Sequence, residues 1–138
     1  MDIGKQLYAS AMELIRKRYP VGWGGAAALR THDGNILTSV APEIINASSA
    51  LCIETGAILE AHKLEARVTH TVCLVRKNAD EDVQVLTPCG ICQELLMYWG
   101  TEVLAAVSIT DGRLNFRTLQ EIQPFHWSRI YTSTADML

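Results

Sequence analysis

Thr87-Pro88-Cys89-Gly90-Ile91-Cys92-Gln93-Glu94 reads as the end of a strand and the start of a helix, with two thiols on the first turns of that helix. Thr87 is a capping residue, and Pro88 suits the first helical position, where its missing N–H would be unpaired in any case. Cys89 and Cys92 are three apart and so share a helix face. The helix dipole and the free backbone N–H groups there favour their thiolates. Two thiolates held in this way bind a metal or perform redox chemistry, and the residues further out decide which.

Upstream, Val68–Arg76 is a buried strand rich in β-branched residues with Cys73 inside it, and after the polar turn Asn78–Asp82 the run Val83–Leu86 pairs back as another, short strand. Downstream, the helix is expected to run to Trp99 and stop at Gly100, followed by a strand at Val103–Ile109, a turn at Asp111-Gly112 and a short strand at Leu114–Phe116. Leu119–Trp127 holds a brief helical turn around Pro124, and the tail after Tyr131 is expected to be loose. Nearer the N-terminus, a helix is predicted over residues 52–64 with Ser48 or Ser49 as cap, which would set Cys52 and Glu54 in its first turns. Asp33-Gly34 between two apolar runs predicts a hairpin. The small residues from Gly24 to Ala28 require close packing by a helix or by the wall of a pocket. Residues 2–19 carry Ile3, Leu7, Ala11, Leu14 and Ile15 at helical spacing, ended by Pro20. An opening hairpin followed by alternating helices and strands predicts an α/β fold over a single domain, residues 1–138: a three-layer α/β/α sandwich around a mixed five-stranded sheet.

The composition narrows the function. A net charge of −3 lacks the basic footprint of a nucleic-acid binder. There is no apolar run long enough for a membrane span, and the N-terminal residues lack the order of a signal peptide. Four cysteines without an export signal point to a reducing cytoplasm, hence to metal or catalysis before disulfides. Cys52, Cys89 and Cys92 supply three soft ligands, which suits tetrahedral Zn2+ with Zn–S of about 2.3 Å and one position left open. Zinc lowers the pKa of a water in that position toward ~7, and Glu54, two residues after the first thiol, would stand beside it as the proton carrier.

Cys52-x-Glu54 followed by Pro88-Cys89-x-x-Cys92 resembles the cytidine deaminase family, with Cys rather than His in the first place as in its small free-nucleoside members. Trp23-Gly24-Gly25-Ala26-Ala27-Ala28-Leu29 is similar to the family's aromatic-x-Val-Gly-Ala-Ala-Leu strand. Glu43 falls where the family's Asn-Val-Glu contacts the ribose. Ile122-Gln123-Pro124-Phe125-His126-Trp127 looks like the C-terminal Leu-Leu-Pro-x-x-Phe whose aromatic reaches a neighbouring subunit's site. The pattern is closest to the blasticidin-S-deaminase-like branch. The resemblance implies hydrolytic deamination of a cytosine-type base in a small nucleoside or nucleoside antibiotic, with Glu54 catalytic, Glu43, Trp127 and Trp23 binding substrate, and a homotetramer. This chain departs from the pattern at the ribose Asn, which is Ala41, and at the Arg after Cys-Ala-Glu, which is Thr55. It departs again at the Arg-Gln after the last cysteine, which is Gln93-Glu94, and has Ile91 where blasticidin-S deaminases carry Arg.

Three alternatives stay open on the residues alone. A lone C-x-x-C after a strand is also a redox signal, though it explains neither Cys52 nor Glu54. A structural Cys3His zinc would need His62, His70 or His126 as its fourth ligand. The fold could also persist with drifted activity, given Ala41 and Thr55. Cys73 reads as a small buried hydrophobe.

Overall fold

The computed structural model describes residues 2–131; the tail after Tyr131 lies outside the described residues. Helix α1 (Ile3–Arg18) begins where Asp2 accepts the Lys5 N–H at 3.1 Å and ends on Arg16, Lys17 and Arg18, cations at the negative end of the helix dipole. Its buried face is Leu7, Ala11, Met12 and Ile15. Strands β1 (Gly24–Thr31) and β2 (Ile36–Ser39) form the predicted hairpin, and Gly34 takes the left-handed conformation that its turn requires. Helix α2 (Thr55–Lys63), β3 (Val68–Arg76), the two-residue β4 (Gln84–Val85), α3 (Gly90–Leu96), β5 (Leu104–Thr110), β6 (Arg113–Thr118) and α4 (Leu119–Ile122) follow. Thr118 and Glu121 close a capping box on α4.

The strands form one mixed sheet in the order β2-β1-β3-β5-β6, parallel only between β3 and β5, with β4 paired to β3. The sheet therefore has six strands rather than the expected five. One edge of β3 is taken by β1 along its length. The other is shared, with β5 opposite His70 and Thr71 and β4 opposite Leu74 and Val75. A two-residue strand is too short to carry its own alternation, and it exists because β3 outlasts β5.

Alternate residues of the sheet feed two cores. Ala26, Ala28, Val72, Leu74 and Ala106 meet Leu7, Ala11 and Ile15 of α1. Ala27, Leu29 and Val68 meet Ile58 of α2 with Cys92 and Leu96 of α3 on the other face. This is the α/β/α layering expected from the sequence. The small-residue run is closely packed on both sides of the strand, by α1 on one and by Trp23 and Ile53 on the other. A Cβ on Gly24 would stand 2.9 Å from Ile15 of α1, and one on Gly25 would stand 2.9 Å from the Trp23 ring and 3.0 Å from Ile53. Among the described residues no helix is long and apolar enough to cross a membrane.

Two helix starts differ from expectation. Ser48 and Ser49 cap nothing downstream; they belong to a separate 3-10 turn, Ala47–Ser49, capped by Asn46. Helix α2 starts at Thr55, entered through a turn in which the Thr55 N–H donates to the Cys52 carbonyl at 3.2 Å. Cys52 thus precedes the helix instead of riding on it. Cys89, rather than Thr87, is the N-cap of α3, and Pro88 lies outside the helix. The far end follows the prediction: α3 passes into a 3-10 turn at Met97–Trp99 and stops at Gly100, whose φ is +106°.

Candidate metal centre and active site

The loop from β2 into α2 and the turn from β4 into α3 arrive side by side on one face of the sheet, because α2 and α3 share one core there over Ala27 and Leu29 of β1. This brings Cys52, Cys89 and Cys92 together across 37 residues, with their sulfurs all within 4.8 Å of one another. Cys52 Sγ and Cys89 Sγ lie 3.0 Å apart in a thiol–thiol hydrogen bond. Thiolates on one tetrahedral zinc sit about 3.8 Å apart for bonds of about 2.3 Å, so this donor set fits that ion without rearrangement of the backbone. Cys92 is fully buried and Cys89 is exposed, which gives the trio one sealed and one open side. Ser39 of β2 donates to the Ile53 carbonyl at 2.6 Å, fixing the turn between Cys52 and Glu54.

The electrostatics of the three thiols differ. Burial pushes the Cys92 thiol far above its ordinary range, with the Glu54 carboxylate adding to the effect. Cys52 is raised because it shares its proton with Cys89, and by burial. Burial opposes the Cys89 thiolate, but the Cys52 thiol and the backbone N–H groups of Cys92 and Ile91 outweigh it and hold Cys89 below the usual thiol value. Glu54 is only 4% exposed and stands at the entry to α2, where its carbonyl accepts the Ile58 N–H at 3.0 Å. Its carboxylate adds to the rise of the Cys73 and Cys92 thiols and, more weakly, of Cys52. Cys73 is buried, as its sequence context predicts, yet it lies on the same sheet face as the trio. Burial and Glu54 both raise its thiol.

Among the described residues the only group able to hold a metal is Cys52, Cys89 and Cys92, and no histidine joins it. His62 packs against Tyr98 and Trp99, His70 against Phe116, and His126 bonds Glu94. The expected alternative of a fourth, histidine ligand is therefore corrected, since each of these rings is committed elsewhere.

The remaining sequence candidates are placed as follows. Trp23, half-exposed, sits edge-on to Tyr19 at 5.5 Å and folds over Gly25 beside Ile53, the residue after Cys52. Glu43 pairs with Arg18 at 2.9 Å on the surface. Trp127 donates from Nε1 to the Glu94 carboxylate at 3.2 Å, next to a His126–Glu94 hydrogen bond. Sequence reasoning missed Ser39 and the contacts of Gln93 and Glu94 with the C-terminal segment. The only signal for the latter was the departure of these two residues from the family's Arg-Gln.

No protein-family model matches the chain. It is similar to a blasticidin-S deaminase from Bacillus cereus, 28% identical over 107 residues that make up 75% of this chain and 76% of that protein. A crystal structure of cytidine deaminase from Bacillus anthracis superposes with a TM-score of 0.91 and 54% sequence identity, covering 94% of this chain and 93% of that one. A cytidine deaminase structure from Mycobacterium leprae, at TM-score 0.67 and 23% identity over 90% of this chain and 99% of that one, shares the fold. With more than half its residues identical to the Bacillus anthracis protein over nearly the full length of both, the chain belongs to the cytidine deaminase family.

Proposed function

We propose that this protein is a zinc-dependent hydrolytic deaminase of small cytosine-containing nucleosides, in which Cys52, Cys89 and Cys92 hold the metal and Glu54 carries the protons. The observation that bears most weight is the convergence of three sulfurs within 4.8 Å beside a buried carboxylate, in a chain of this family. Zinc, when bound there, supplies a water acidified to near neutrality and one open coordination position. Addition of water to C4 of the base would shift an electron pair to N3, which must be protonated. Glu54 takes the proton released by the water and delivers it to N3, then assists departure of the 4-amino group. The balance is one water consumed, one ammonia released and a 4-keto base formed, with Glu54 returned to its starting state. Burial of Glu54 keeps bulk water from competing for that proton.

Trp23, Glu43 and Trp127 are the proposed substrate contacts: the first as an apolar wall beside Ile53, the second toward a sugar hydroxyl, the third by stacking. In this reading Glu43 exchanges its exposed partner Arg18 for the sugar, a pair that costs little to break. Ala41 stands where the family pattern has Asn and offers no amide to the sugar, so a substrate with a modified sugar is part of the proposal. The likeness to a blasticidin-S deaminase supports a cytosine-containing nucleoside antibiotic, blasticidin S, as the second candidate substrate. Ile45, Leu51, Ile91 and Phe125, all exposed, are available for contact with further copies, and a cytoplasmic homotetramer, as the family resemblance implies, is part of the same proposal.

The test is loss of the cytosine ultraviolet chromophore on incubating zinc-loaded protein with cytidine, deoxycytidine and blasticidin S in parallel. Turnover of at least one is expected, and a protein that holds its zinc yet turns over none contradicts the proposal.

A further inference from the structure

The two residues after Cys92 are both tied to a segment some 30 positions away. Gln93 is 9% exposed, and its side-chain Nε2 donates to the Pro88 carbonyl at 2.6 Å while its Oε1 accepts from Gln123 Nε2. The Pro88 carbonyl belongs to the same planar peptide as the Cys89 nitrogen, so this bond fixes the orientation at which the chain enters Cys89. Glu94, beside it, accepts from His126 Nε2 and Trp127 Nε1. The Ser128 N–H donates to His126 Nδ1 at 3.2 Å, which puts the imidazole proton on Nε2, facing Glu94. The start of α3 is thus fastened to residues 123–127 at two adjacent points.

We infer that Gln93 is a positioning residue: it clamps the Pro88–Cys89 peptide against Gln123 of the C-terminal segment and so holds the Cys89 sulfur in register with Cys52 and Cys92. The role demands a donor and an acceptor on one short planar group, which among side chains of this length only the amide provides. A glutamate there keeps the acceptor and loses the bond to Pro88, and a methionine loses both at similar volume. An arginine would donate to Pro88 but could not accept from Gln123. The neutral amide at this position is therefore matched to Gln123. The inference rests on the reading that the three cysteines hold zinc.

Zinc-loaded full-length protein is mixed with excess chromogenic chelator and the rate of zinc transfer is followed, alongside the melting temperature. Gln93→Met is expected to speed zinc release about tenfold or more, the scale of losing a residue that orients a ligand. Gln93→Glu should match it, and Gln123→Met should change the rate in the same direction by a smaller factor. Leu7→Ala, which opens the core on the opposite face of the sheet and touches neither the clamp nor the cysteines, should lower the melting temperature and leave the release rate near that of the unaltered protein. Should Gln93→Met fail to fold, Gln123→Met decides, because its side chain lies outside α3. Zinc release at the unaltered rate in both the Gln93 and Gln123 variants, or release that tracks melting temperature across all variants, overturns the inference alone. Failure of the unaltered protein to take up zinc overturns the zinc reading and this inference with it.

Discussion

Zinc and pH should act on this protein in opposite senses, and the magnitude follows from the thiols. In the metal-free protein Cys52 and Cys92 are held above the ordinary thiol value, the first by the proton shared with Cys89 and the second by burial, whereas Cys89 is held below it. Zinc must therefore displace two protons near neutrality, and a third wherever the pH lies below the Cys89 value. Each displaced proton contributes about 1.4 kcal/mol of binding free energy per pH unit, so two to three give about 2.7–4.1 kcal/mol per unit at fixed free zinc. At roughly 3 °C per kcal/mol for a chain of this size, zinc should raise the melting temperature by about 8–12 °C more for each unit of pH between 6 and 8. Without metal the sign reverses. The folded pKa values of Cys73 and Cys92 lie above the unfolded ones, so the unfolded chain loses those protons first as pH rises. Stability of the metal-free protein is then complete below about pH 8.5, the unfolded thiol value, and declines above it. Melting curves at pH 6, 7, 8 and 9, with zinc buffered at one free concentration and again with chelator, measure both slopes. A zinc-induced increment that grows by less than one proton's worth per pH unit would refute a three-thiol site.

Two further expectations concern the scaffold. Ile58 is fully buried against Ala27, Leu29, Cys92 and Leu96, and Ile58→Ala should cost about 2–5 kcal/mol in urea unfolding of the zinc-loaded protein, since the helix is held too firmly to collapse into the gap. Ser39→Ala leaves the Ile53 carbonyl without its 2.6 Å hydrogen bond and should cost about 1–3 kcal/mol; an unchanged unfolding midpoint would show that the turn carrying Cys52 and Glu54 does not depend on β2.

Local signals carried well through this chain. The α1 stripe, the Asp33-Gly34 and Asp111-Gly112 turns and the Gly100 stop each depend on a few adjacent residues, and each appears where the pattern puts it. Cys-x-Glu and Cys-x-x-Cys likewise brought the three sulfurs of the candidate site together, because a motif spacing specifies chemistry whether or not the turn is helical. What failed was the assignment of caps. Asn46 competes with Ser48 and Ser49 for the same backbone, and sequence does not say which polar side chain takes the N–H. Cys89 replaced Thr87 as the cap of α3 because the Pro88 carbonyl is taken by Gln93, a side-chain contact with no periodic signature. The Gln93–Gln123 and Glu94–His126 contacts span 30 and 32 positions and exist only once α3 and the C-terminal segment meet. Strand β4 forms at Gln84–Val85, inside the short strand predicted at Val83–Leu86, and pairs with the part of β3 that β5 leaves free.

The most direct measurement is deamination by zinc-loaded Glu54→Gln, assayed beside its metal content. Glutamine fills the same buried space and cannot carry the proton. Zinc should stay at about one per chain, the stoichiometry of a three-thiol site, while turnover should fall by at least ~10²–10⁴-fold. Undiminished turnover at full zinc occupancy would contradict the assignment of Glu54 as the proton carrier.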